Sequence, residues 1–181
     1  MKTLIIHPAD RSTSFLDIVY KGIKDKTVVT GGVTVSELNQ LIESHDRVMM
    51  MGHGCPTGLF SVGMFPDARG LIINENTVPL LKKKDNSVFI WCNADKFVEH
   101  YELSGFYSGM FISEVGEAEY CKVYGTDQEI VDESNYGFVN IIGKHINQDK
   151  TLIHENVRKE YGVIAESNPV AYYNNSRLYI S

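Results

Sequence analysis

The sequence predicts an α/β protein: a three-layer α/β/α sandwich around a mostly parallel central sheet. Two observations carry this. Short, nearly continuous apolar runs (Lys2–Ile6, Lys26–Thr30, Arg47–Met51 and Val88–Trp91) recur along the chain, separated by stretches of helical period. Strands apolar on both faces must be covered on both, which is the situation of a parallel sheet between helical layers. In addition, the 181 residues contain no internal repeat, no low-complexity segment and no Pro/Ser-rich linker, so a single domain over 1–181 is expected.

The elements follow in order. Lys2–Ile6 is a buried strand stopped by His7-Pro8. Over residues 13–23, Phe15, Ile18, Val19 and Ile23 share one helical face. Lys26–Thr30 is the second strand, closed by Gly31-Gly32. Thr34-Val35-Ser36-Glu37 reads as a capping box, with Leu38, Leu41 and Ile42 at helical spacing behind it. Arg47–Met51 is the third strand and ends in Gly52-His53-Gly54. Gly58–Val62 and Gly70–Ile73 suit two short antiparallel pieces. Thr77–Lys84 is a short helix that tolerates Pro79 in its first turn. Val88–Trp91 is the fourth strand, with Cys92 at its end, and Asp95–Tyr101 is a helical turn. Gly105–Val115, with small residues for close packing, is read as a buried helix, and Tyr120–Tyr124 as the fifth strand. Asp127–Ile146 is the longest helix, 151–161 another, and Arg177–Ile180 a last strand.

Composition narrows the function. Net charge is −6, and it is uneven: residues 1–96 carry +1 and residues 97–181 carry −7. An acidic C-terminal half without a basic stripe argues against a nucleic-acid partner. No apolar run approaches the ~18 residues of a membrane span, and Asp10 and Arg11 interrupt any signal-peptide pattern. No membrane partner is therefore expected. Three cysteines (Cys55, Cys92, Cys121), odd in number and without a CxxC pair, argue against a disulfide framework or a zinc site and suggest a reducing, cytoplasmic setting. No metal or other cofactor is expected. There is no GxxxxGK[ST] or GxGxxG phosphate loop and no Gly-x-Ser-x-Gly elbow.

In open sheets of this kind ligands bind beyond the carboxyl ends of the strands. Two of those ends carry reactive side chains, His53 and Cys92, separated by 39 residues. If their strands are neighbours, the imidazole can take the thiol proton, and a nearby imidazolium lowers a thiol that otherwise titrates near ~8.5. Gly54 offers a backbone N–H unobstructed by a Cβ, and the Cys92 N–H is a second donor for an oxyanion. Cys55 is read as a loop residue and Cys121 as a core one.

VMMMGHG, ending at Gly54, and VFIWCNAD, containing Cys92, together resemble the caspase-like cysteine peptidases, the group of caspases, gingipains, legumains and CHAT domains. The resemblance extends over the whole chain in element order, but only His53-Gly54 and Cys92 carry the site. It implies a cysteine endopeptidase acting on a peptide or protein, with Cys92 as nucleophile, His53 as base and acid, and Gly54 and Cys92 N–H groups at the oxyanion. Trp91 before Cys92 departs from the caspase pattern and is nearer the CHAT-like one; strand alternation turns it to the opposite side, against a helix. Members of this fold select a charged or polar residue on the amino side of the cut (P1). Asp95 and Glu114, with Glu117 and Glu119, suggest a pocket for a basic P1 residue, with Asp95 as its floor. Two other readings stay open: a non-catalytic caspase-like protein-interaction module, and a flavodoxin-like binding domain.

Overall fold

The computed structural model describes residues 1–181. Strands β1 (Thr3–Ile6), β2 (Lys26–Val29), β3 (Arg47–Met51), β7 (Ser87–Ile90), β8 (Gly105–Ser108) and β9 (Leu178–Ile180) form one sheet in the order β2-β1-β3-β7-β8-β9. Every pairing is parallel except the last, β8 with β9. The strands numbered between β3 and β7 are short: β4 (Gly54–Cys55), β5 (Gly58–Phe60) and β6 (Leu71–Ile73) make a separate antiparallel sheet.

Helices cover both faces. Within each strand the side chains alternate between two cores, as a period of 2 requires. Leu4, Ile6, Val48, Met50 and Phe89 face one side, where α2 (Val35–Ser44), α3 (Val78–Leu81) and α4 (Ala94–Tyr101) lie. Ile5, Met49, Met51, Val88, Ile90 and Phe106 face the other. There they meet α1 (Asp17–Tyr20), α6 (Gln128–His145), α7 (Lys150–Ala165) and α8 (Pro169–Asn175). The nearly unbroken apolar runs are thus explained by double-sided burial. A smaller apolar cluster joins α5 (Val115–Tyr120) to α6 and α8 through Ala118, Val131 and Val170.

The capping box is present. Thr34 Oγ1 accepts from the Glu37 N–H at 3.2 Å, and Glu37 Oε2 accepts from the Thr34 N–H at 2.8 Å. Thr34→Ala should lower stability by ~1 kcal/mol, the usual cost of an N-cap hydroxyl. A urea titration of the variant checks this; an unchanged midpoint would show that α2 is held by packing alone.

Three segments differ from expectation. Residues 13–23 form a 3-10 turn (Ser14–Leu16) and the single turn of α1 rather than a full helix. Gly105–Val115 is not a helix: it begins as β8 and continues as a loop. Gly105 serves a strand, because a Cβ there would lie 2.3 Å from Ser87 O on β7. Small residues suit close helix packing and close strand approach alike, and only the tertiary partner distinguishes them. Tyr120–Tyr124 is not a strand either. It is the end of α5 and the turn that follows, so the fifth parallel strand is β8.

Arg47 opens β3 at the sheet's amino edge and is fully buried. Its Nε donates to Asn86 O (2.7 Å) and its Nη1 to Ile146 O (2.6 Å), tying the edge to the end of α6. Burial pulls its guanidinium down to about 10. Its place at the amino edge removes it from any site at the carboxyl edge.

No helix is long and apolar enough to cross a membrane.

Candidate active site

Strand order reverses between β1 and β3, so the loops leaving these two strands diverge at their carboxyl ends. Such a switch point is where open α/β sheets bind ligands. The loop after β1 carries Asp10 and Ser12; the loop after β3 carries His53. β3 and β7 are parallel neighbours, with Met49 opposite Val88 and the Gly52 N–H donating to Ile90 O at 3.0 Å. Cys92, two residues past β7, therefore stands at the same edge as His53.

Gly52 has φ 137°, a conformation that favours glycine, and it turns the chain out of β3 so that His53 leaves the sheet edge. The His53 carbonyl accepts from the Phe60 N–H at 2.8 Å, which anchors the turn to the small sheet. The imidazole is 30% exposed. Its Nε2 lies 2.6 Å from Ser12 Oγ and 3.8 Å from Asp10 Oδ1, while Nδ1 makes no hydrogen bond within the protein.

The Cys92 thiol lies 3.3 Å from Phe111 O and 3.6 Å from Glu117 Oε1, and makes no hydrogen bond to His53. Burial, followed by the negative charge of Glu117, pushes it up to about 12. That is the reverse of an activated thiol, which an adjacent cation lowers. Glu117 is itself held in place. Its Oε2 accepts from Ser113 N (2.7 Å), Ser113 Oγ (2.9 Å) and Glu114 N (3.2 Å), so one carboxylate organises the loop after β8 and restrains the thiol.

His53 and Cys92 line one narrow cleft with Gly52, Trp91, Phe111 and Ser113; its free space is about 20 Å³, room for one water. Phe15 and Ser113 also wall a wider pocket of 390 Å³ next to it, which Glu114, Gln128, Asp132 and Arg11 line. Glu114 is thus beside the cleft. Asp95 is not. It is almost fully buried in the first turn of α4, against Gly109, with Oδ2 3.3 Å from Lys96 Nζ. Asp132, on α6, stands in the pocket where Asp95 was expected.

Gly54 lies on β4 and is not among the residues lining the cleft. Ladder alternation turns its N–H away from β5. The Cys92 N–H has no partner within the protein. Trp91 points to the other side of the chain, packing edge-on against Phe97 of α4 at 5.7 Å. Cys55 sits on β4 with its Sγ 3.1 Å from Thr57 Oγ1, away from the cleft. Cys121 is neither in a strand nor in the core; it caps the end of α5, and all three thiols are partly buried alike. Exposure therefore does not single out Cys92, although Cys92 was expected to be less buried than a core Cys121. No group of three or more His, Cys, Asp or Glu side chains is placed to hold a metal ion.

No protein-family model matches this chain, and no curated protein matches it.

Asp10, Ser12 and Asp132 were not anticipated from sequence. Asp-x-Ser at 10–12 signals only a local turn, in which Ser12 N and Oγ both donate to Asp10 Oδ1. Its link to His53 spans 41 residues and needs the fold.

Proposed function

We propose that this chain is a caspase-like cysteine hydrolase that cleaves peptides after a basic residue and holds its nucleophile at rest. The observation that carries this reading is that His53 and Cys92, from loops after neighbouring parallel strands, line one cleft. In the reaction, His53 takes the Cys92 proton as sulfur attacks the peptide carbonyl. The unpaired Cys92 N–H faces the developing oxyanion. His53 then gives its proton to the leaving amine, and the thioester is hydrolysed by a water that His53 deprotonates. The adjoining pocket favours Arg or Lys at P1, since Glu114 and Asp132 outnumber its single cation, Arg11. Binding of such a side chain would draw on the segment that carries Ser113 and Glu114, the same segment that Glu117 ties to the thiol.

One observation favours a second reading. The thiol bonds toward Phe111 and Glu117 rather than His53, as in a non-catalytic module that works by protein contact.

A peptidyl electrophile with Arg at P1 separates the two. It should modify Cys92 in the wild type, fail in His53→Ala, and react more slowly when P1 is Asp. Mass spectrometry of the modified peptide reads the outcome. Equal modification of wild type and His53→Ala would remove the dyad, and absence of modification in both would favour the interaction module.

A further inference from the structure

The contact between Ser12 and His53 assigns the ring proton of the histidine. Ser12 Oγ lies 2.6 Å from His53 Nε2 and 2.7 Å from Asp10 Oδ1. Both separations require a proton between the heavy atoms, and a hydroxyl has only one to give. Asp10 has none to offer at neutral pH. Hydrogen bonds from the Ser12 hydroxyl and the Ser12 N–H hold its carboxyl below the usual carboxylate range. Ser12 therefore donates to Asp10, and its oxygen accepts the remaining proton, which must come from His53 Nε2.

We propose that Asp10 and Ser12 are positioning residues for His53: they fix its Nε2–H tautomer and orient the ring, so that Nδ1 is the nitrogen that receives a proton. This deepens the proposed function and rests on His53 being its base. Nδ1 is suited to the part, since both protein contacts of the ring are made by Nε2. When it takes the proton the ring becomes an imidazolium, and the Asp10 carboxylate, 3.8 Å from Nε2, stabilises that charge. The same proton count excludes Ser12 as a nucleophile activated by His53. Its hydroxyl proton is committed to Asp10, and the nitrogen facing it already bears a proton. The loop after β1 is thereby given a function at the switch point: it supplies the outer partners of a base carried by the loop after β3, as carboxylate and hydroxyl partners orient histidines elsewhere.

The test is long-range ¹H–¹⁵N correlation of the neutral histidine rings in the full chain. His53 should show an exchange-protected proton on Nε2. That protection should disappear in Ser12→Ala and return in Ser12→Thr, both of which should keep the wild-type thermal transition. A ring proton found on Nδ1, or an Nε2–H equally protected in Ser12→Ala, overturns the proposal. Modification of Cys92 by the Arg-P1 electrophile is measured in parallel. It should slow by about tenfold or more in Ser12→Ala, the usual scale for loss of an orienting partner, and recover in Ser12→Thr. If the proton behaves as expected but Cys92 of the wild type ignores the electrophile, the positioning role stands and the hydrolase reading falls.

Discussion

Iodoacetamide should modify Cys92 of the native protein far more slowly than an ordinary thiol, with a rate that keeps climbing beyond pH 9. The thiol is pushed from 9.0 up to about 12, first by burial and then by the Glu117 carboxylate. Three units mean ~10³-fold less thiolate at pH 8. A more basic thiolate is a better nucleophile, so part of that factor is recovered in the rate; a deficit of about 10- to 100-fold should remain. The pH profile is more telling than the rate. Between pH 7 and 10 it should rise about tenfold per unit without levelling, whereas an unperturbed thiol levels near pH 9. Glu117→Gln removes the negative charge and should shift the profile to lower pH. Per-cysteine peptide mapping separates Cys92 from Cys55 and Cys121. A native profile that plateaus by pH 8–9 would mean the thiol is not restrained. The shift has a consequence for stability, with a definite sign. Between pH 9 and about 12 the unfolded chain has lost the Cys92 proton and the folded chain still holds it. The stabilisation is complete below pH 9 and is lost as pH rises toward 12. Tyr161, which burial raises from 10.0 to about 12, acts in the same direction.

Trp91→Ala should cost about 3–5 kcal/mol, the range for removing a large aromatic side chain from a core. Trp91 is 2% exposed. Its ring packs edge-on against Phe89 at 5.8 Å and Phe97 at 5.7 Å, and its Nε1 donates to Cys55 O at 3.2 Å. The substitution removes the apolar contacts and also the indole hydrogen bond to the Cys55 carbonyl. Trp91 is bonded to the small sheet on one side and precedes Cys92 on the other, so its position sets where the thiol stands. Gly54→Ala approaches the same contact from the opposite direction. A Cβ at 54 would lie 2.3 Å from Trp91 Cδ1, 2.6 Å from Trp91 Cγ and 2.7 Å from Gly58 O, and something must move. The two substitutions should therefore not add. With Ala at 91 the two shortest of these contacts are gone and the one with the Gly58 carbonyl remains, so Gly54→Ala should cost less in that background than in the wild type. Urea titrations of the two single variants and the double variant give the cycle. Additive costs would show that Gly54 and Trp91 are energetically independent.

Much of the sheet was legible in sequence because its strands are buried on both faces. A run such as Val48-Met49-Met50-Met51 has no other comfortable place, and Thr34 with Glu37 marks a helix start by local chemistry alone. His53 and Cys92 were found for the same reason: the run that makes a strand also announces its end, and the parallel sheet brings such ends to one edge. The errors arose where local pattern is ambiguous. Gly105-Phe106-Tyr107-Ser108 has the small and aromatic residues of a packed helix and of a tight strand equally, and Ser87 O across the ladder decides between them. Asp95 is near Cys92 in sequence, but α4 turns it into the interior against Gly109, while α6 brings Asp132 to the pocket from the far side of the chain. Charge state was the least legible property. Whether a thiol is activated or restrained depends on which charge stands within a few ångströms of it. For Cys92 that charge is Glu117, 25 residues away, and for the His53 proton it is Asp10 acting through Ser12. Sequence determines which reactive groups reach the sheet edge, because periodicity and burial are local. Their protonation is a tertiary property, because electrostatic partners are chosen by distance in space rather than along the chain.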